Sequence, residues 1–344
     1  MARLARLTEQ GFIDCIARLA RPRGPRPQGL RAVLGIGDDA AVLASAGRLH
    51  ALLTTDFLTE GIHFRAAWAP GILLGRKVLA ASLSDIAAMG GVPSSFVLSA
   101  GFPRRTEAAY ALEVARGIAA QARRFGVSLV GGDTCAAHAL FLNVALLGLV
   151  EPGREVRRTG ARSGDGLYVT GRLGAPAAGL HLLKAGARHG RASGARAEAI
   201  RAHLDPEPRV VAGRLLGLTG LAAAMIDLSD GLARDLPRLC AASGTGAVVE
   251  QEAIPVARSA GIVLGGRAAA RAALVGGEDY ELLFAARAEH HESVRRLARR
   301  IRLPMSRIGQ VVPARRGVRI LTASGRYLPF EELRGGFRHF PTDA

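Results

Sequence analysis

Gly35-Ile36-Gly37-Asp38-Asp39-Ala40-Ala41-Val42-Leu43 sets two adjacent carboxylates between glycines and an apolar run of strand length. Glycine permits backbone angles closed to other residues, and the apolar run gives the acids a buried element to stand on. The same grammar returns at Thr54-Thr55-Asp56, Leu83-Ser84-Asp85, Gly131-Gly132-Asp133-Thr134, Asp227-Leu228-Ser229-Asp230-Gly231 and Gly276-Gly277-Glu278-Asp279. Nine of the chain's 29 acids, Asp38, Asp39, Asp56, Asp85, Asp133, Asp227, Asp230, Glu278 and Asp279, lie in these stretches, which are poor in adjacent arginine. Two carboxylates about 4 Å apart repel by roughly 4 kcal/mol at an effective dielectric of 20. A converging set therefore needs cations. Hard oxygen ligands without His or Cys select Mg²⁺ or Ca²⁺, and Mg²⁺ is the one that bridges nucleotide phosphates. Taken singly, each motif is equally well a turn or a helix N-cap. The six together point to metal and phosphate chemistry.

The 344 residues suffice for two domains, each with its own core. An apolar fraction of 49% with 22% charged residues is that of a globular chain. No apolar run reaches the roughly 18 residues of a membrane span, and residues 139–150 are expected as a buried strand. The N-terminus lacks a continuous apolar segment of the secretory kind, so a cytosolic setting is expected. Three cysteines, Cys15, Cys135 and Cys240, form no Cys-x-x-Cys pair, which argues against a disulfide framework or a zinc knuckle. The net charge of +17 rests almost wholly on arginine, with Lys77 and Lys184 the only lysines. Those arginines are spread along the chain with no aromatic-interleaved patch, which disfavours nucleic acid and favours a general attraction for anionic ligands.

Periodicity predicts helices over 8–20, 71–89, 106–125, 175–185, 210–218, 232–242 and 288–301. It predicts strands over 40–44, 49–55, 94–101, 127–130, 139–151, 167–170, 222–228, 246–250, 272–275, 281–286, 305–312 and 318–321. Residues 187–195 read as a polar, Gly-rich excursion without assigned function. The class is α/β or α+β in two domains, divided near 151–165. Leu83-Ser84-Asp85 and Leu228-Ser229-Asp230 stand 145 positions apart, as do Gly131-Gly132-Asp133 and Gly276-Gly277-Glu278, which suggests related halves. The paired glycines would let backbone N–H groups approach a phosphate. Neither a P-loop nor a Rossmann fingerprint nor a Gly-x-Ser-x-Gly elbow occurs.

Gly-Ile-Gly-Asp-Asp-Ala-Ala, Thr-Thr-Asp followed by His63-Phe64, Leu-Ser-Asp-Ile-Ala-Ala-Met-Gly, Gly-Gly-Asp-Thr, Ile-Asp-Leu-Ser-Asp-Gly-Leu and Gly-Gly-Glu-Asp-Tyr-Glu-Leu together resemble the thiamine-monophosphate kinase family, in order, over roughly residues 10 to 340. That family belongs to the aminoimidazole-ribonucleotide synthetase superfamily of ATP-using enzymes. The resemblance implies a two-domain fold of mixed α/β type, with residues 1–150 binding ATP and Mg²⁺ and pairing in a homodimer, and residues 151–344 completing the phosphate and thiamine site. It implies transfer of the γ-phosphoryl group of ATP to thiamine monophosphate without a protein general base. It assigns Asp39, Thr54, Thr55, Asp56, Asp85, Asp133, Asp227 and Asp230 to several Mg²⁺ ions. Gly132, Asp133, Arg158 and Ser229 fall to ATP, and His63, Glu278 and Phe337 to the thiamine part, where an acid and an aromatic face would complement the thiazolium charge. The family often has Ser where Thr54 stands, which keeps the hydroxyl. Asp38 and Asp279 are left as residues that orient their neighbours. Selenophosphate synthetase and the hydrogenase-maturation relative are disfavoured, because the reactive cysteine motifs they need are absent. The alternatives are another superfamily enzyme forming a phosphorylated intermediate, or a non-catalytic nucleotide- or RNA-binding relative.

Overall fold

A computed structural model describes residues 11, 13, 31–45 and 47–333. The helix expected over 8–20, Cys15 and Phe337 lie outside the described residues apart from positions 11 and 13, which are helical.

The first layer is a six-stranded sheet. Its strands are β1 (Arg31–Leu34), β2 (Ala41–Ala44), β3 (His50–Thr59), β4 (Val92–Phe102), β5 (Ser128–Ala136) and β6 (Phe141–Val150), in the order β1-β2-β3-β6-β4-β5. Only β4 and β5 run parallel. Strand alternation decides which side is covered. On β3 and β6 the even-numbered residues, Leu52, Leu58, Leu142, Val144 and Leu146, are buried. They meet helix α1 (Gly71–Ala88), which in turn packs on α2 (Ala108–Phe125). The odd-numbered side is open and leaves Leu53, Phe57 and Val97 exposed.

Helix α1 is buried on almost every face, being wedged between sheet, α2 and α5 (Val210–Leu218). Glycines permit those crossings. A Cβ at Gly75 would stand 2.1 Å from the Val114 carbonyl oxygen, one at Gly117 2.1 Å from that of Ile72, and one at Gly213 2.0 Å from that of Ala87. The obstacle is backbone in each case, so no rotamer change relieves it. Gly117→Val is expected to lower unfolding stability by about 3 kcal/mol in a denaturant titration, against under 1 kcal/mol for Arg116→Gln on the solvent side.

Residues 151–165 lead without a strand into a second, seven-stranded sheet. It contains β7 (Gly166–Thr170), β8 (Ala224–Asp227), β9 (Thr245–Glu250), β10 (Leu282–Ala286), β11 (Met305–Pro313), β12 (Val318–Leu321) and β13 (Tyr327–Pro329), in the order β13-β12-β9-β11-β7-β10-β8. Strands β7 and β10 and the edge strand β8 are buried throughout, because helices cover both faces. On one side stand α6 (Leu232–Ser243) and α8 (Gly266–Val275), and on the other α5 and α9 (His291–Ile301). Ala87 and Ala88, at the end of α1, join the core under α5, so the two sheets share packing. Helices α3 (Ala175–Lys184), α4 (Gly194–Leu204) and α7 (Arg258–Leu264) form a smaller cluster beside α8.

The expected strand at 272–275 is instead the end of α8, because the run Ala268 to Ala273 carries the highest helix propensity and only Val275 is β-branched. Within the polar excursion, position 194 begins α4, which buries only Ala199, Ile200, His203 and Leu204 and so shows little apolar period. The internal echo also dissolves. Leu83-Ser84-Asp85 lies within a helix, whereas Leu228-Ser229-Asp230 follows a strand; Gly131-Gly132-Asp133 is inside β5, whereas Gly276-Gly277-Glu278 is a loop.

Candidate metal and phosphate site

The acids converge where the two sheets meet. Asp39 comes from the turn before β2, Asp85 from the last turn of α1, and Asp227 from the end of β8. One carboxylate oxygen of each lies within 4.8 Å of those of the other two. Asp56, on the buried side of β3, stands against Ser82 and Asp85. Thr54 Oγ1 donates to Asp85 Oδ2, and Ser84 Oγ donates to Asp227 Oδ2 at 2.7 Å. Burial, followed by mutual repulsion, pushes Asp85 well above the ordinary carboxylate range; for Asp56, Asp39 and Asp227 burial is again the first cause of an upward shift. Asp39 Oδ2 and Asp56 Oδ2 are buried without a hydrogen-bond partner among the described residues. Orphaned anionic oxygens in a hydroxyl-lined cluster free of His and Cys are what a hard divalent cation requires. The residues fit Mg²⁺.

The sheet divides the expected ligand set. Thr54 and Asp56 point inward, while Thr55 points to the open side, where its Oγ1 accepts from Asn143 Nδ2 at 3.0 Å. Asp133 stands exposed on the edge strand β5, two strands beyond β6. Gly132 serves the sheet itself: a Cβ there would lie 2.0 Å from the Leu98 carbonyl oxygen. Asp230 is outside the three-acid cluster and pairs with Arg238 at 2.8 Å.

Arg158, in the segment between the sheets, reaches back to the opening stretch. Its guanidinium lies 2.6 Å from Asp39 Oδ1, and its backbone N–H donates to both Asp38 oxygens at 3.0 and 3.1 Å. Asp279 similarly takes the Gly174 N–H at 2.8 Å, so both acids set aside as orienting residues do hold backbone donors.

A cavity of about 900 Å³ lies beside the acid cluster and reaches it through Asp56. Asp56, His63, Ser229, Asp230 and Glu278 line it, joined by Trp68, His203 and Lys184, none of which motif spacing singled out. His63 Nδ1 accepts the Thr59 N–H at 3.1 Å, which fixes the ring at the end of β3.

Two family models cover most of the chain: the N-terminal domain of AIR synthase related proteins matches residues 37–150, and the C-terminal domain matches residues 162–322. A thiamine-monophosphate kinase of Bacillus subtilis is 31% identical over 308 residues, 89% of this chain and 93% of that protein. One from Salmonella typhimurium is 34% identical over 90% of this chain and 92% of its own. The chain belongs to the thiamine-monophosphate kinase family. As a member it is an ATP-dependent enzyme that phosphorylates thiamine monophosphate. A solved structure described as AaThiL complexed with AMPPCP and TMP superposes with a TM-score of 0.84 at 29% identity, covering 99% of both chains.

For a kinase with these acids, pH and divalent metal are linked. Asp38 is raised to about 6, by burial and then by Asp39, and Asp235, buried at the start of α6, to about 7. The metal-free folded protein therefore retains protons that the unfolded chain releases near pH 4. Their contribution to stability is complete below that pH and disappears as the pH rises through 6 to 7. Without metal, the melting temperature is expected to fall by several degrees from pH 5 to pH 8. The increase produced by Mg²⁺ is expected to be small at pH 5 and largest at pH 8, as scanning calorimetry with and without chelator would show.

Proposed function

We propose that the enzyme performs its family's reaction, ATP-dependent phosphorylation of thiamine monophosphate to thiamine diphosphate, by direct in-line transfer of the γ-phosphoryl group. A phosphate oxygen of the acceptor attacks the γ-phosphorus and ADP departs. The acceptor is already an anion, so no side chain need remove a proton from it. Such a transfer depends on alignment and charge neutralisation rather than covalent chemistry. Bound Mg²⁺ supplies that neutralisation, and the chain's own carboxylates hold it. The observation that carries the proposal is the buried cluster of Asp39, Asp85 and Asp227, joined through Asp56, which stands against Asp85, to the wall of the 900 Å³ cavity.

Asp39, Thr54, Asp56, Asp85 and Asp227 are the inner ligand set. Thr55, Asp133 and Asp230 are assigned to further ions, and Gly132, Arg158 and Ser229 to ATP. His63, Glu278 and Phe337 receive the thiamine part. Residues 1–150 are taken as the ATP-binding, dimer-forming domain and 151–344 as the domain that completes the site. The open sheet side, with Leu53, Phe57 and Val97 exposed beside Thr55 and Asp133, supports pairing of two copies across that side. The cytoplasm, where ATP is abundant, is the proposed setting. Among the described residues no helix is long and apolar enough to cross a membrane.

Purified protein with ATP, Mg²⁺ and thiamine monophosphate is expected to yield ADP and thiamine diphosphate in equal amounts, read by chromatography, and to stop when chelator is added. ADP release that does not depend on thiamine monophosphate would overturn the proposal.

A further inference from the structure

Glu278 is gripped from two sides. Lys77, on α1, sets Nζ 2.7 Å from Oε1, and His203, at the end of α4, sets Nδ1 2.8 Å from Oε2. The Lys77 and His203 side chains are 2% and 3% exposed, whereas Glu278 keeps 24% of its side chain open toward the cavity. A buried ammonium is costly unless paired. In a chain whose 46 basic residues are otherwise arginine, except for Lys184, a lysine at this position is notable. A compact ammonium needs less room than the broad guanidinium fork.

The backbone beneath the acid is equally constrained. Glu278 and Tyr280 have φ of 68° and 49°, a left-handed region that is strained for non-glycine residues. Three bonds hold the segment there: Glu278 N–H to the Ser229 carbonyl at 2.7 Å, Tyr280 N–H to that of Leu228 at 2.9 Å, and the Asp279 carboxylate receiving the Gly174 N–H at 2.8 Å. Strain retained at a cavity wall marks a group whose direction matters.

Burial opposes ionisation of Glu278, but Lys77 first and His203 next hold it down at about 2. Burial and then Lys77 keep His203 below its ordinary range, so its Nδ1–H is the donor to Oε2. Lys77, Glu278 and neutral His203 together carry no net charge, and Lys184 stands nearby as a further cation. A carboxylate so compensated exerts little pull on a cationic ring. It still has acceptor capacity, because an ionised carboxylate accepts about four hydrogen bonds and, among the described residues, Lys77 and His203 take two.

We infer that Lys77 and His203 are positioning residues that make Glu278 a charge-compensated, fixed hydrogen-bond acceptor, selecting the acceptor substrate by an N–H donor on its heterocycle rather than by its positive ring. The inference rests on the proposal above that Glu278 faces the thiamine moiety, whose pyrimidine carries an amino group and whose thiazolium carries the charge.

Trp68, the chain's only tryptophan, lines the same cavity with its ring 6.4 Å from that of His203, so its fluorescence reports binding there. Three ligands separate the possibilities: thiamine monophosphate, an analogue with a neutral thiophene in place of the thiazolium, and an analogue with hydrogen in place of the amino group. Wild type is expected to bind the neutral-ring analogue within about threefold of the natural substrate, and the amino-deleted one about 30-fold more weakly. Lys77→Met is expected to raise the KM for thiamine monophosphate about tenfold, leave kcat and the KM for ATP within about threefold, and leave binding of the amino-deleted analogue unchanged. Lys77→Arg, which keeps the charge, is expected to recover part of that loss. Should Lys77→Met fail to fold, His203→Phe carries the same expectation and His203→Gln, which keeps a donor, is expected to rescue it. Loss of binding on neutralising the ring, with none on deleting the amino group, would overturn the inference, as would a parallel rise in both KM values. Absence of turnover in the wild type would instead overturn the kinase proposal on which it rests.

Discussion

Asp227→Asn is expected to lower turnover about 1,000-fold or more while leaving the folded protein intact. Asn keeps the shape of the side chain and can still accept the Ser84 hydroxyl, which donates to Asp227 Oδ2 at 2.7 Å. It removes one of three negative charges whose oxygens lie within 4.8 Å, where each ionised pair repels by about 3–4 kcal/mol at an effective dielectric of 20. The substitution should thus relieve the metal-free protein and weaken the metal-bound one. In calorimetry at pH 8 the melting temperature without metal should hold or rise, and the increase on adding Mg²⁺ should largely vanish. A collapse of the fold with or without metal would make Asp227 a structural residue. Unchanged turnover would remove the cluster from catalysis.

The second large effect is expected at Arg158. Its guanidinium is 2.6 Å from Asp39, whose side chain is 1% exposed, and its backbone N–H holds Asp38. Arg158→Met keeps the backbone contact and deletes the charge that offsets a buried acid. Removing one partner of such a pair costs about 3–5 kcal/mol, because the survivor is left uncompensated. Asp39, already raised by burial, would then retain its proton to higher pH. Turnover is expected to fall about 100-fold at pH 7, with the KM for ATP raised. Added Mg²⁺ should recover much of the lost stability but not the KM. Recovery of both would mean that Arg158 serves only the acid and never the nucleotide.

The sequence made much of this legible because the acids are tied to short, repeated motifs that are poor in adjacent arginine. Spacing placed α1, α2 and most strands within a few residues, since each is an apolar or alternating run bounded by turn residues. Spacing could not show that β3 directs Thr54 and Asp56 inward and Thr55 outward, because that depends on which side α1 covers. It also missed the groups that hold the acids: Ser84 sits inside the quoted Leu-Ser-Asp motif, and only the contact with Asp227, 143 positions away, shows its use. Lys77 and His203 carry little local signal, although the scarcity of lysine in an arginine-rich chain could have drawn attention to Lys77. Helix α4, which supplies His203, escaped notice because it buries so narrow a strip.

The paired motifs at an offset of 145 show how chance enters such patterns. Identical residue types can serve a helix interior in one place and a strand-end turn in another. What the motifs share is chemistry: small residues beside an acid let backbone and carboxylate approach the same ligand.

Anomalous diffraction from crystals grown with Mn²⁺ in place of Mg²⁺ tests the central claim most directly. The expected result is a peak bonded to carboxylate oxygens of Asp39, Asp85 and Asp227 at about 2.0–2.3 Å. No peak among these three acids, in protein that still converts thiamine monophosphate under the same conditions, would contradict it.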